Sequence, residues 1–338
     1  MIDTMTNKER YAEFCRLHPE MPVMMQPWWL EAVCAGKEWD VMLFTAEDLD
    51  VTGMDSEHVI AVMPYLLRKR LGMRFVVMPQ LTMFGGAWLD SCVQADPKAQ
   101  ERMAKLLTKR LRSMKLAYYY QQFAVGNPMP HWMEKRRFTI EQRVTYRLDV
   151  VGAGSPDDDF SKNKQRQLHK AEELLADNEM SAEEFYRFHA ACLRERGREV
   201  TYSREFLLVL ERKSRRAEAS AFIRIKEPAT AEQAERTVAA AFVVWDRHSL
   251  YYLIPAYLPS AAKSGASARL AYEAMLMARQ KNLLFDFEGG NDDEGVANHY
   301  KQLGGQPAAY YSVSKMYNPL FAALLKLNKW REQKKFRG

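Results

Sequence analysis

The chain has 338 residues, 47% of them hydrophobic, with a formal net charge of +6 and a pI near 9.0. This length and apolar content predict roughly two folded domains and exclude a disordered chain, while the mild positive charge favours anionic partners such as phosphates, RNA or a membrane surface. No apolar run approaches the roughly 18 residues that span a bilayer, and the first residues lack the apolar core of a signal peptide. The four cysteines are scattered and predict neither a disulfide framework nor a metal site. We therefore expect a cytoplasmic protein without a bound metal.

The first 150 residues predict a mixed region of helices and strands. Two helices are expected near the start, at Lys8–Leu17 and after Pro27, and a longer amphipathic helix at Pro97–Met114. Strands are predicted from short apolar or alternating runs that begin at Trp39, His58, Met73, Ala117 and Arg143. This order predicts a first α/β lobe.

The segment VGAGSPDDDF, from 151 to 160, is the best candidate for a domain boundary because it concentrates glycine, serine and proline. We therefore divide the chain into 1–152 and 153–338. After the boundary the pattern predicts a helix from Ser155 through NKQRQLHKAEELLA, then helices at Ala182–Arg194 and Arg204–Lys213. Two strands follow, SAFIRIK and TVAAAFVVW.

The stretch from Ser249 to Tyr311 is the most informative part of the sequence. Its pattern predicts a strand, a small-residue loop, an amphipathic helix, a strand, a second helix that ends at Gly304–Gly305, and a last strand. The first amides of a helix lack internal partners and carry the positive end of the helix dipole, so a helix N-terminus can hold a phosphate. The loop before the first of these helices therefore predicts a phosphate site, to which Lys263 would add a charge.

This run resembles the acyl-donor half of the GNAT N-acyltransferases. The motif FDFEGG, followed by a helix and by HYKQLGG, is more similar to the FemAB-like branch of that superfamily, as are the early PWWLEAV, the central NKQRQLHKAEE and the chain length. The resemblance implies an α/β fold of two tandem GNAT-like lobes with mixed central sheets flanked by helices, the first lobe on the acceptor side and the second holding the donor. One expected strand is hard to find between Leu175 and Ser181.

The resemblance also implies roles for particular residues. The donor's phosphates would lie against Lys263, Ser264, Gly265, Ala266 and Ser267, and backbone amides of Ile254 and Ala256, beside Pro255 in a splayed strand, would face the oxyanion. Glu288 or Asp286 would be the general base and Tyr300 the general acid that protonates the leaving group. The structural alternatives are a solvated turn for the loop, helix capping or pairing with Arg279 or Lys281 for the acids, and a core position for Tyr300.

The implied function is N-acyl transfer, of an acetyl or aminoacyl group, from acyl-CoA or aminoacyl-tRNA to an amine of a cell-envelope or sugar-type acceptor, with peripheral membrane contact left open. The alternative is a non-catalytic ligand-binding protein on a decayed transferase fold. Lys164, Arg166 and Lys170 predict a loosely basic helix, for which a solvated face is the favoured interpretation and contact with the phosphates of a donor or of a lipid-linked acceptor is the alternative. The tail from Pro319 to Gly338 predicts a basic amphipathic helix.

Overall fold

The computed structural model describes residues 5–34, 36–152, 154–231, 234–290, 293–319 and 321. The chain divides into two compact units. Unit 1 holds the described parts of Met1–Leu17, Gly36–Arg143 and Ala309–Gly338. Unit 2 holds the described parts of His18–Ala35 and Val144–Ala308. The units are therefore interleaved along the chain, and two of the strands begin in one unit and end in the other.

The described part of unit 1 contains four helices, five whole strands and most of a sixth strand that begins in unit 2. The helices are α1 (Asn7–Leu17), α3 (Ser91–Gln94), α4 (Pro97–Ser113) and α5 (Met129–Glu134). The strands are β1 (Trp39–Thr45), β2 (Val59–Arg70), β3 (Met73–Val77), β4 (Trp88–Leu89), β5 (Tyr118–Phe123) and, from unit 2, β12 (Gln306–Met316). They pair in the order β1-β2-β3-β5-β12, with β3 and β5 parallel and β4 added beside β2.

The long helix α4 shows why unit 1 folds as it does. Asp96 caps its N-terminus, accepting hydrogen bonds from the amides of Lys98 and Ala99 at 2.9 and 3.1 Å, and Pro97 occupies the first turn, where it displaces no internal hydrogen bond. One face of α4 carries Met103, Leu107 and Leu111, which are fully buried in the apolar core of the unit. The helix forms because capping and burial act on the same segment.

Unit 2 contains six helices and six strands in its described part. The helices are α2 (Pro27–Cys34), α6 (Lys162–Lys170), α7 (Ala182–Arg194), α8 (Arg204–Arg216), α9 (Ala266–Gln280) and α10 (Glu294–Gln302). The strands are β6 (Thr139–Leu148, which begins in unit 1), β7 (Leu175–Asp177), β8 (Ser220–Glu227), β9 (Arg236–Trp245), β10 (Ser249–Tyr257) and β11 (Leu284–Asp286). Their order is β6-β11-β10-β9-β8-β7, and only the β10–β11 pair is parallel.

The helices of unit 2 cover both faces of its sheet. Ala241 and Val243 of β9 belong to the core that α9 and α10 complete. Phe242, which lies between them, packs against Phe222, and Phe222 packs against Phe185 of α7. Since alternate residues of a strand point to opposite faces, α7 lies across the sheet from α9.

The helix predicted from Ser155 to Ala176 is the main departure from the sequence analysis. The structure begins α6 only at Lys162, where the Ser161 hydroxyl accepts a hydrogen bond from the Lys164 amide at 3.3 Å, and ends it at Lys170. The expected strand then follows as β7, Leu175–Asp177. Both oxygens of Asp177 accept hydrogen bonds from Arg224 on β8, at 2.9 and 3.0 Å. Pairing with a distant strand overrides the local helical pattern here.

The compact units also differ from the predicted division at 152/153. The chain passes between them at 17/18, 35/36, 143/144 and 308/309, and α2, which the sequence analysis placed in the first lobe, belongs to unit 2. No helix in the described part of the chain is long and apolar enough to cross a membrane. From residue 322 onward, the basic helix predicted for the tail lies outside the described residues.

Candidate functional site

The strands β10 and β11 separate in the middle of the unit 2 sheet. They are paired in parallel only from Ser249 opposite Leu284 to Tyr251 opposite Asp286. β11 ends at Asp286, while β10 continues to Tyr257 along β9. Within the residues that the structure describes, the second half of β10 therefore pairs with β9 on one side and with no strand on the side of β11. The sequence analysis expected a splayed strand here because of Pro255.

A register shift lies at the point where the two strands part. The pairing of β10 with β9 changes phase between Tyr251 and Ile254, which leaves Tyr252 and Leu253 as the bulge. A bulge redirects backbone groups out of the regular ladder and is frequent beside active sites. The main chain of Tyr252 and Leu253 thus lies at the apex of the opening.

The structure does not place the backbone amides of Ile254 and Ala256 as the sequence analysis expected of oxyanion donors. The amide of Leu258 donates to the carbonyl of Val238 on β9 at 3.0 Å. Amides along a strand alternate in direction, so those of Ile254 and Ala256 also point toward β9, where they pair opposite Phe242 and Ala240. They are part of the β-ladder and do not face the opening, and Pro255 between them has no N–H to offer.

Asp286 is a fully buried carboxylate at the end of β11. One of its oxygens accepts hydrogen bonds from the Thr145 hydroxyl at 2.6 Å and from the Glu288 amide at 3.0 Å. The other accepts from Nε of Arg147 at 2.7 Å. Thr145 and Arg147 are alternate residues of β6, the neighbouring antiparallel strand. A carboxylate saturated in this way holds its surroundings in place, and Arg147 replaces Arg279 and Lys281 as its basic partner.

Glu288 occupies the turn that follows β11. Its backbone is in the left-handed region, with φ of 52°, and Gly289 and Gly290 continue the turn with positive φ. The residue is only partly buried by area, but its carboxyl group is desolvated. Burial, and then the charge of Asp286, raise the pKa of Glu288 well above its usual range. Strain and a perturbed carboxyl in the same turn are typical of a functional position.

Tyr300 lies on α10 beside this turn. It is 7% exposed, and its ring stacks on Phe287 with centroids 4.6 Å apart. A side chain at Gly290 would come within 3.3 Å of the Tyr300 ring, so the bare glycine lets the turn pass close to it. Burial, followed by the charges of Glu288 and Asp286, raises the pKa of Tyr300. Tyr300 therefore keeps its proton at neutral pH, and the structure brings all three predicted catalytic residues together.

The predicted donor loop forms a short 3-10 helix, Pro259–Ser264, which leads into α9. The Ser264 hydroxyl donates to the carbonyl of Ala261 at 2.8 Å and accepts from the amide of Ala266 at 3.3 Å. The Lys263 side chain is exposed, and Ser267 is partly exposed. In the described structure no side chain caps the N-terminus of α9 in the usual geometry.

Gly265 connects this loop to the helix α6. It has φ of +83°, and a Cβ placed on it would lie 2.0 Å from the carbonyl oxygen of Gln167. Gly265 and Ala266 are buried beneath α6 as a result. The exposed part of the predicted phosphate cradle is thus limited to Lys263, with Ser264 and Ser267 at its edge.

The sequence analysis did not predict the burial of two side chains beside the site. Lys164 of α6 is 6% exposed, although its helix was expected to be solvated, and burial lowers its pKa. His299 of α10 is partly buried, and burial, together with the charge of Lys164, lowers its pKa to about 4. Arg147 and Thr145 were missed as well. The alternation of polar residues in RVTYRLDV was the only signal for them, because their partner lies about 140 residues later.

The comparisons with known proteins agree with this architecture. A family model described as an acetyltransferase (GNAT) domain matches residues 159–302, which include the splayed strand, the donor loop and all three candidate catalytic residues. A search of curated proteins found no match to the sequence.

Solved structures match over most of the chain. FemX aligns with a TM-score of 0.69 at 11% identity, covering 96% of this chain and 99% of FemX. A conserved protein of unknown function from Bacteroides thetaiotaomicron aligns with a TM-score of 0.54 at 12% identity, covering 85% and 90% of the two chains. L-PGS from Bacillus licheniformis aligns with a TM-score of 0.50 at 11% identity, covering 89% and 95%. The predicted fold is confirmed: this is a mixed α/β chain with a GNAT domain and the tandem GNAT fold of FemX.

Proposed function

We propose that this chain, which has a GNAT acetyltransferase domain and the fold of FemX, is an N-acyltransferase that works in the opening between β10 and β11. The observation that carries the proposal is the parting of these strands at Tyr251 and Asp286, with a bulge at the apex and Glu288 and Tyr300 beside it. The donor is an acyl or aminoacyl group on a phosphate-bearing carrier, and the acceptor is an amine of a sugar or cell-envelope molecule.

The proposed reaction begins with the amine. Glu288, whose pKa is raised by burial and by the charge of Asp286, removes a proton from the acceptor nitrogen as that nitrogen attacks the acyl carbonyl carbon. The carbon–nitrogen bond forms while the carbonyl oxygen becomes an oxyanion. Amides of the bulge, Tyr252 and Leu253, stabilise that charge in place of the ladder amides first expected.

Collapse of the intermediate then releases the carrier. The bond between the acyl carbon and the sulfur of a thioester, or the oxygen of an ester, breaks with its electron pair on the carrier. Tyr300, protonated at neutral pH, donates a proton to that atom. Asp286 does not take part in proton transfer in this scheme. It accepts the amide of Glu288 at 3.0 Å and so positions the turn that carries the base.

A transfer assay tests the proposal. The purified protein is incubated with acetyl-CoA or with an aminoacylated tRNA minihelix and a panel of amino sugars and cell-wall peptides, and mass spectrometry follows the acylated product. Tyr300→Phe should slow transfer while leaving donor affinity similar. Donor binding without transfer to any amine would instead favour the alternative, a ligand-binding protein on a decayed transferase fold.

A further inference from the structure

A buried cation on α6 has no matching charge in the described part of unit 2. The Lys164 ammonium donates to Oε1 of Gln167 at 3.0 Å, and no described carboxylate lies within ion-pair distance of it. Its side chain is 6% exposed, under a shallow layer of protein. The described partner of this largely buried side chain is a neutral amide oxygen and not a carboxylate, and burial of an ammonium without a counter-charge is unfavourable.

The helix α6, which carries Lys164, contacts two other elements of unit 2. The carbonyl of Gln167, its partner residue, lies directly against Gly265, so α6 packs on the N-terminus of α9, the positive end of that helix dipole. On the other side, the amide of Ser161 donates to the carbonyl of Gln302 at the end of α10, at 2.8 Å. α6 therefore connects the donor loop to the helix that carries Tyr300, with Lys164 between these two attachments.

His299 of α10 is a second titratable group near Lys164. It is partly buried, and its pKa of about 4 leaves it neutral at pH 7. A neutral imidazole near Lys164 can donate or accept a hydrogen bond without adding a second charge. Lys263, near the end of the donor loop, is exposed.

We propose that Lys164 binds a phosphate group of the acyl donor. The phosphate replaces the Gln167 amide as partner of the ammonium and supplies the missing negative charge. This inference rests on the proposed function and deepens it, since it places the donor's phosphate on side chains of α6 in addition to the exposed edge of the loop. Phosphate is common to acyl-CoA and to the 3′ end of an aminoacyl-tRNA, so the site chemistry applies to both carriers.

Two variants on one helix test the assignment. Lys164→Met removes the buried charge and keeps most of the side-chain volume, and Lys162→Met removes an exposed charge two residues away. Calorimetric titrations use inorganic pyrophosphate, coenzyme A and a tRNA minihelix ending in CCA, and the last two identify the carrier. We expect Lys164→Met to weaken the probe that binds by about tenfold or more. Lys162→Met should bind like wild type, and Lys164→Arg should retain part of the affinity.

Thermal unfolding without ligand separates a binding role from a structural one. Removing an uncompensated buried charge should leave the melting temperature of Lys164→Met unchanged or higher than that of wild type. Wild-type affinity in Lys164→Met, or a lower melting temperature that accounts for the lost binding, would overturn the assignment. Failure of the wild type to bind any of the three probes would also overturn it. The transfer assay on wild type reports separately on the proposed function, because it does not involve Lys164 variants.

Discussion

Glu288 combines two unfavourable features in one residue: a left-handed backbone and a desolvated carboxyl group beside Asp286. Each feature lowers the stability of the folded state, and each persists only where the surroundings enforce it. The enforcing contacts are the hydrogen bond from its amide to Asp286 and the two glycines that complete the turn. A desolvated carboxyl group has a raised pKa, and a raised pKa suits a catalytic base at the end of a splayed strand.

Replacing Glu288 by glutamine should remove the base and keep the shape of the turn. We expect turnover to fall by roughly 10²- to 10⁴-fold with donor affinity little changed, as for loss of a general base. The wild-type rate should rise with pH through the raised pKa of Glu288, and this limb should be absent from the variant. Steady-state rates between pH 5 and 9 measure both effects. Unchanged turnover in the variant would show that another group is the general base.

The same substitution has a predictable effect on stability. The folded-state pKa of Glu288 lies above its ordinary value of 4.5, so the folded protein holds this proton more tightly than the unfolded chain. The resulting stabilisation is complete below pH 4.5 and is lost as the pH rises through the folded pKa. Glu288→Gln should therefore melt at a higher temperature than wild type at neutral pH, with a smaller difference near pH 4. An equal difference at both pH values would argue against the raised pKa.

Asp286 and Arg147 form an ion pair, and replacing only one of them should lower the free energy of unfolding. Asp286→Asn leaves the Arg147 guanidinium without its counter-charge in a largely buried position. We expect a loss of about 3–5 kcal/mol in the free energy of unfolding, measured by urea titration. In the double variant Asp286→Asn with Arg147→Met the loss should be smaller than the sum of the single changes. Additive losses would show that the two side chains act independently.

At the scale of elements, the packing of α6 on the donor loop depends on one glycine. Gly265→Ala would place a methyl group on the Gln167 carbonyl and would also require a left-handed alanine. Both effects together should lower the free energy of unfolding by on the order of 2–5 kcal/mol. Gly197→Ala is the control, because Gly197 has φ of +66° and no neighbouring atom within 4 Å, so it meets only the backbone cost. Equal losses in the two variants would contradict the close contact.

At the scale of the whole molecule, the interleaving of the units predicts the behaviour of fragments. A cut at 152/153 separates Asp286 from Thr145 and Arg147, and β12 from its partner β5. It also removes α2 from α8, to which the Lys213–Glu31 ion pair joins it. We expect neither 1–152 nor 153–338, expressed alone, to unfold cooperatively by circular dichroism. The same bond cut after folding, at an engineered protease site, should leave a folded complex. Cooperative melting of both separate fragments would contradict the interleaving.

The sequence alone determined the features that depend on local pattern. The apolar periodicity of Ala182–Arg194 predicted α7 with the bounds that the structure has, and a capping serine begins that helix. The strand–loop–helix run after Ser249 and its resemblance to GNAT proteins predicted the fold that the comparisons confirm. Such features can be predicted because side-chain periodicity and capping act over a few residues.

Only the tertiary structure decided which groups meet. The burial of Lys164, the direction of the amides of Ile254 and Ala256, the strand at Leu175 and the pairing of Asp286 with Arg147 all depend on contacts between distant segments. A periodic pattern indicates that a face is covered but does not identify what covers it, and strand register is set by the partner strand. The candidate base and acid were therefore recognisable from the sequence, while the residues that support them and the burial of Lys164 were not.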